Sequence, residues 1–225
     1  MAIVIFDLFG TLIDKRKYDY NTALKWLADT YFNGEFKNLV DLSLKVKESY
    51  LKKRQISNME TSFCEQLKIF EKELHTSISD DYLNVEERFL NIFRDEYLLD
   101  GTGDLLDYLY EQNCATYLFS NSIFSGLSLC RYLNKFGIDQ YFQKIYSSAD
   151  IGFRKPSKES FNFVLTDIGV TNTKDVYYVG DSFEKDYLGA LGFGITPILV
   201  ASNKAIDGLC FENLNQLLNY FKTTL

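Results

Sequence analysis

The chain has little of several things, and each scarcity excludes something. It has one histidine, His75, in 225 residues, so no histidine-rich metal centre can be built. Its four cysteines, Cys64, Cys114, Cys130 and Cys210, are widely spaced and form no CxxC pair. That pattern predicts reduced, mostly buried thiols rather than a disulfide framework. Positive charge is also short: 24 Lys and Arg stand against 31 Asp and Glu, a net charge of −7. Gripping nucleic-acid phosphates needs clustered basic side chains, so a nucleic-acid partner is not expected. The one short basic run, Lys52-Lys53-Arg54, reads as the solvated face of a helix. No apolar run approaches the ~20 residues of a membrane span. No charged n-region, apolar h-region and cleavage site precede the first strand, so the expectation is a cytoplasmic protein with no membrane association.

Apolar side chains are plentiful at 46 %, with 19 Phe and 16 Tyr, enough for a substantial core. Nearly all of those aromatics should be packing. Residues Ala2–Phe6 form a short apolar run that reads as a buried strand. Residues 15–99 then carry helical periodicity. Tyr20, Ala23, Leu24, Leu27 and Tyr31 mark one helix, and Leu39–Arg54 a second. Phe63, Leu67, Phe70 and Leu74 mark a third. Tyr82, Val85, Phe89, Ile92 and Phe93 mark a fourth, with an N-cap offered by Ser79-Asp80-Asp81. His75 falls at a helix end. Four helices predict a small bundle.

From residue 100 the pattern changes at Gly101-Thr102-Gly103. Strands are expected at Thr116–Ser120, Lys144–Ser147, Val176–Val179 and Thr196–Val200. Helices are expected at Gly126–Phe136, Ser157–Ile168, Glu184–Leu191 and Asn213–Phe221, with Gly137 and Gly169 as C-caps. Strands alternating with helices predict an α/β fold with a parallel sheet covered on both faces. The first strand must join that sheet, so the helical stretch is an excursion from it.

Ligands of open parallel sheets bind beyond the carboxyl ends of the strands. Four segments fall there: Asp7 after the first strand, Ser120-Asn121, the loop Gly152–Pro156 with Lys155, and Gly180-Asp181-Ser182 with Asp186. Singly, each has a bland reading as a cap or a surface charge. Together they bring carboxylates, a hydroxyl and an ammonium to one edge.

The segments FDLFGTL (6–12), FSNS (119–122), GFRKP (152–156) and GDSFEKD (180–186) resemble the four motifs of haloacid dehalogenase-superfamily hydrolases. The resemblance implies a Rossmann-like parallel-sheet core from 1–14 and 100–225, and an inserted helical-bundle cap at 15–99. The gap of 34 positions between Asn121 and Lys155 leaves little room for a cap later in the chain. By the same resemblance, Asp7 is the nucleophile that becomes an aspartyl-phosphate. Asp7, Asp181 and the main-chain carbonyl of Phe9 would hold Mg²⁺. Ser120 and Lys155 would be catalytic, one donating to a phosphoryl oxygen and the other offsetting charge. Gly10, Thr11 and Asn121 would shape the substrate-binding pocket, and Asp186 would support Lys155 or metal-bound water. The partner implied is a small-molecule phosphate ester, with the protein a monomer or homodimer. A cap would close over the site on hinges at Ile13–Lys17 and Leu99–Gly103.

Phe9 departs from the pattern. Family phosphatases carry there a second aspartate, which protonates the leaving alkoxide and then activates water. Phenylalanine does neither, and such help is worth ~10²–10⁴-fold. Three readings follow. The first is an atypical Mg²⁺-dependent phosphatase, less impaired on aryl or acyl phosphates than on sugar phosphates. The second is a 2-haloacid dehalogenase, whose halide leaves without a proton and whose substrate anion an arginine would bind, Arg16 or Arg54 being the candidates. The third is a phosphate-ligand binder without turnover. Acids at 181 and 186 beside Asp7 would repel one another without a cation, which favours the first.

Overall fold

In the computed structural model the described residues are 2–200 and 206–225. The expected core range therefore includes Met1 and residues 201–205, which lie outside the described ones. In chain order the elements are β1 (Ile3–Phe6), β2 (Ile13–Tyr18), α1 (Tyr20–Tyr31), α2 (Phe36–Ser57), α3 (Phe63–Leu74), α4 (Tyr82–Phe93) and β3 (Arg94–Leu98). There follow α5 (Thr102–Glu111), β4 (Ala115–Ser120), α6 (Gly126–Asn134), β5 (Lys144–Ser147), α7 (Ser148–Ile151) and α8 (Lys158–Ile168). The chain ends with β6 (Val176–Gly180), a π-helical turn at Phe183–Tyr187, α9 (Leu188–Leu191), β7 (Thr196–Val200), β8 (Leu209–Phe211) and α10 (Leu214–Thr224).

Six strands pair in parallel in the order β5-β4-β1-β6-β7-β8. The chain winds outward from β1 through β4 and β5, then returns to the other flank of β1 at β6. The central strand is buried on both faces, as an apolar run in a parallel sheet must be. Val4 and Phe6 enter one apolar cluster and Ile5 the other. The same alternation puts Leu118 and Val179 on one face, and Phe119 and Tyr178 on the opposite one. Each such side chain contributes roughly 1.5–3 kcal/mol by leaving water.

The helices start where side chains cap them. Asp19 accepts from the Thr22 amide, Asp81 from Leu83, and Ser62 forms a capping box with Glu65. His75 closes α3 in the left-handed conformation, and Gly169 closes α8. Gly137 instead ends the turn after α6, whose C-cap is Lys135. The four helices of the insert share one apolar cluster with a face of the sheet. Phe63 and Phe89 lie 4.4 Å apart, and Phe63 reaches Phe124 of the sheet unit at 5.6 Å.

Four features differ from the sequence expectation. The segment expected as the first hinge is strand β2, paired antiparallel with β3. Both strands are largely polar, so no apolar alternation marks them. Thr102–Glu111 is helix α5: Gly101 is its N-cap at φ +83°, so the glycine cluster starts a helix instead of only ending one. Thr102 Oγ1 fixes that start by donating to the Leu12 carbonyl at 2.9 Å. The helix expected from Glu184 opens as a π turn. The short β8 extends the sheet edge, three half-buried residues being too few to show a period.

No helix of the described residues is long and apolar enough to cross a membrane. Cys64, Cys114 and Cys130 are half-buried unpaired thiols. Burial raises the Cys64 thiol to about 12, with the Glu86 carboxylate adding to the rise.

Candidate active site

The sheet order makes β4, β1 and β6 neighbours, so their carboxyl ends deliver three of the four motifs side by side. Phe6 is in register with Leu118 and Val179, and the Asp7 amide continues the ladder by donating to the Val179 carbonyl at 2.8 Å. Asp7 is therefore held by the sheet itself. A cavity of about 550 Å³ opens over this edge, lined by Asp7, Phe9, Ser120, Asn121, Lys155, Asp181 and Asp186, and also by Arg94 and Arg154.

Lys155 is the electrostatic centre. It is 3 % exposed. Its ammonium contacts Asp7 Oδ1 at 2.6 Å, Asp186 Oδ1 at 2.7 Å, the Phe119 carbonyl at 2.9 Å and the Tyr178 hydroxyl at 2.6 Å. Burial pulls the ammonium down, but the carboxylates of Asp186 and Asp7 outweigh it and hold Lys155 above its ordinary value. Asp7 responds the opposite way. Burial pushes its carboxyl up to about 7 against the pull of Lys155, with Asp186 and Asp181 adding to the rise. Burial, then Asp186, also raises Asp181. Two carboxylates, Asp7 and Asp186, contact one ammonium and a third, Asp181, stands beside them, so acids outnumber the cation at this edge.

One carboxylate oxygen each from Asp7, Asp181 and Asp186 lies within 4.8 Å of the others. These are hard oxygen donors facing a cavity, and the set fits Mg²⁺. Two glycines make the crowding sterically feasible. A Cβ on Gly10 would come within 2.6 Å of Asp181 Oδ2, and Gly10 has φ +88°. A Cβ on Gly180 would come within 2.4 Å of the Asp186 side chain. Asp186 is fixed from behind by the Ser182 amide at 3.0 Å.

The other expected residues take distinct places. Ser120 is fully buried, and its Oγ has no hydrogen-bond partner among the described residues. Asn121 lines the cavity, yet its side chain accepts from the Lys155 amide at 2.8 Å and donates to the Lys155 carbonyl at 3.1 Å. It thus holds the lysine's backbone. Thr11 stands behind Asp7, where its hydroxyl donates to Asp7 Oδ2 at 3.3 Å. Gly10 spaces Asp181 and, like Thr11, is absent from the cavity wall.

The arginines considered from sequence lie elsewhere. Arg16 pairs with Asp95 on the surface at 3.7 Å. Arg54 is not on a solvated face as Lys52 and Lys53 are: it pairs with buried Glu60 at 2.7 Å. The arginines at the cavity are Arg94 and Arg154, which sequence reasoning missed. Arg94 stacks on Phe9, its Cζ 3.8 Å from the ring centroid. Nη1 donates to the Tyr18 hydroxyl at 3.0 Å and to Glu96, while the buried Nε has no partner among the described residues. Arg154 had a signal, since it precedes Lys155 in the third motif. Arg94, on β3 and far away in sequence, had none.

Comparisons with known proteins agree with this geometry. The family model described as haloacid dehalogenase-like hydrolase matches residues 4–200. The putative HAD-hydrolase YfnB of Bacillus subtilis is 35 % identical over 94 residues, 41 % of this chain and 38 % of that protein. The pyrimidine 5'-nucleotidase YjjG of Escherichia coli is 32 % identical over 119 residues, 50 % and 52 % of the two chains. The glyceraldehyde 3-phosphate phosphatase of Methanothermobacter thermautotrophicus is 36 % identical over 70 residues, 31 % and 30 %. The chain thus spans about a third to a half of the length of these curated relatives. Among solved structures, a magnesium-bound form of YfnB superposes with a TM-score of 0.59 at 21 % identity, covering 98 % of both chains. A 2-haloacid dehalogenase from Pseudomonas syringae gives 0.70 at 18 %, covering all of both. At such identities these likenesses speak to the fold. The family match runs through all four motifs that the sheet brings together, and the chain belongs to the haloacid dehalogenase-like hydrolases.

Proposed function

We propose that the protein hydrolyses a small phosphate ester through an aspartyl-phosphate on Asp7, with Mg²⁺ as cofactor. The observation that carries this reading is the cluster of Asp7, Asp181 and Asp186, two of which contact Lys155. A dehalogenation needs no cation, and three acids around one lysine are costly without a further positive charge. The printed activities of two relatives, a nucleotidase and a phosphatase, support phosphate as the group attacked.

Asp7 and Asp181, with the Phe9 carbonyl, would hold Mg²⁺, and Asp186 would support the site. The bound cation supplies charge neutralisation for carboxylate and phosphate together. The chain's own residues do the rest. Lys155 orients Asp7 and offsets its charge. An Asp7 carboxylate oxygen forms a bond to phosphorus as the bond to the leaving oxygen breaks, and the leaving group departs with that electron pair. Water then attacks phosphorus and releases Asp7. The Ser120 hydroxyl, without a partner among the described residues, would donate to a phosphoryl oxygen.

At the leaving-group side the expected acid is replaced by Phe9 with Arg94 upon it. A guanidinium donates hydrogen bonds but does not release its proton at working pH. It can stabilise a departing anion and cannot protonate it. The substrate class favoured is therefore one whose leaving group is already stable as an anion, an aryl or acyl phosphate. The helical insert acts as a cap that screens the site and selects the substrate.

Hydrolysis of p-nitrophenyl phosphate that requires Mg²⁺ and stops in EDTA is the expected result. Chloride release from a 2-chloroacid in EDTA would replace this reading with the dehalogenase. Phosphate-dependent thermal stabilisation without turnover of any ester would replace it with a binder.

A further inference from the structure

We infer that Glu60 is a positioning residue: a buried carboxylate on the helical insert that holds in place the loop carrying Lys155 and the loop that follows Ser120. The inference rests on the phosphatase reading for its kinetic consequence, and on contacts alone for its structural one.

Glu60 follows α2, which ends at Asn58 in the left-handed conformation. Its side chain has no exposure. Oε1 accepts from Arg54 at 3.2 Å and 2.7 Å and from the Thr61 amide at 3.1 Å, all within the insert. Oε2 faces the sheet unit. It accepts from Ser148 Oγ at 2.8 Å and from Arg154 Nη1. Ser148 Oγ in turn accepts from the Ser122 amide at 3.0 Å, in the second motif. Arg154 is the neighbour of Lys155 in the third motif. A single carboxylate of the insert therefore reaches two of the four motif loops.

The backbone doubles the connection. The Glu60 amide donates to the Gly152 carbonyl at 2.9 Å, and the Arg154 amide to the Asn58 carbonyl at 2.8 Å. Met59 and Phe153 pair between them as an antiparallel bridge. On its other side Lys155 is held by Asn121. The lysine is thus clamped between the second motif and the insert. Its ammonium makes four contacts at 2.6–2.9 Å, which only a fixed backbone sustains.

Loss of the Glu60 charge would leave Arg54 and Arg154, both largely buried, without their shared anion. Arg154 would then swing away, and the start of the Lys155 loop with it. A displacement of about 1 Å at a catalytic group is worth about 10²-fold in rate.

The test compares Glu60→Gln, Arg154→Gln and their double variant on p-nitrophenyl phosphate with Mg²⁺, alongside amide hydrogen exchange at Arg154 and Lys155. Glu60→Gln keeps the shape and removes the charge. The expected result is a kcat reduced about 10- to 100-fold with KM within about threefold. The double variant should be no slower than either single one, because the residues act as one unit. Exchange at Arg154 and Lys155 should quicken, and Arg154→Lys, which keeps the charge, should recover part of kcat. A folded Glu60→Gln with unchanged kcat, or losses that multiply in the double variant, would overturn the inference. If the wild type hydrolyses no phosphate ester, the phosphatase reading falls. Exchange then decides alone, and unchanged protection at Lys155 in Glu60→Gln overturns the clamp. Should Glu60→Gln not fold, Arg154→Lys and Arg154→Gln carry the same measurements.

Discussion

At position 9, where the motif resemblance leads one to expect an acid, a ring stands with the Arg94 Cζ 3.8 Å from its centroid. Phe9→Asp places a carboxylate beside that guanidinium and two residues from Asp7. The rate on alkyl phosphates should rise at least tenfold, towards the ~10²–10⁴-fold of general acid–base help. An unchanged rate in a folded, Mg²⁺-binding variant would refute this account of Phe9. On the proposed role of Asp7 as nucleophile, Asp7→Asn should lower Mg²⁺-dependent turnover of p-nitrophenyl phosphate by more than about 10³-fold while the circular dichroism spectrum is kept. Gly180→Ala drives a methyl group into Asp186 and should cost about 1–3 kcal/mol in urea denaturation. Asp7, Lys155, Asp181 and Asp186 were legible because strand ends and short motifs fix them locally. Glu60, Arg94 and Tyr178 were not. Glu60 takes its role from partners 88 and 94 positions away, Arg94 from one 76 positions away and from the ring it faces, and Tyr178 from one 59 positions away.

At the scale of elements, helices and parallel strands showed in the sequence because burial imposes a period on them. The ribbon of β2 and β3 did not, because it carries exposed charged side chains such as Lys17 and Asp95, which are in register, and owes its existence to where the insert leaves and rejoins the sheet. The insert is fastened to the sheet unit by aromatic packing of Phe63 and Phe89 against Phe124, and by Glu86 of α4 accepting from the Ser125 amide. Phe89→Ala should therefore lower stability by about 3–5 kcal/mol. The insert and the sheet unit should still unfold in one transition, monitored in urea by far-ultraviolet dichroism and by Trp26 fluorescence. Separate transitions would show that the apolar cluster does not bind them into one cooperative unit.

Across the whole molecule, burial and the mutual repulsion of the carboxylates load the site with electrostatic tension. Burial raises Asp7 from 3.8 to about 7. Between those values the folded, metal-free protein keeps a proton that the unfolded chain has released, so this group's contribution to stability falls as pH rises through that window. In EDTA, Asp7→Asn should consequently stabilise the protein more at pH about 7.5 than at about 5, measured by urea midpoints. An equal difference at both values would mean that Asp7 is ionised throughout. The sequence by itself determined the class of fold, the family and the order of the motifs, because apolar periodicity and turn chemistry act over a few residues. Only the tertiary structure decided what meets at the sheet edge. Strand order brought three acids together, two of them onto one lysine. The return of the chain through β3 laid Arg94 on Phe9, and the docking of the insert bound Glu60 to Arg154. Such contacts depend on distances between remote segments, which a linear pattern does not encode.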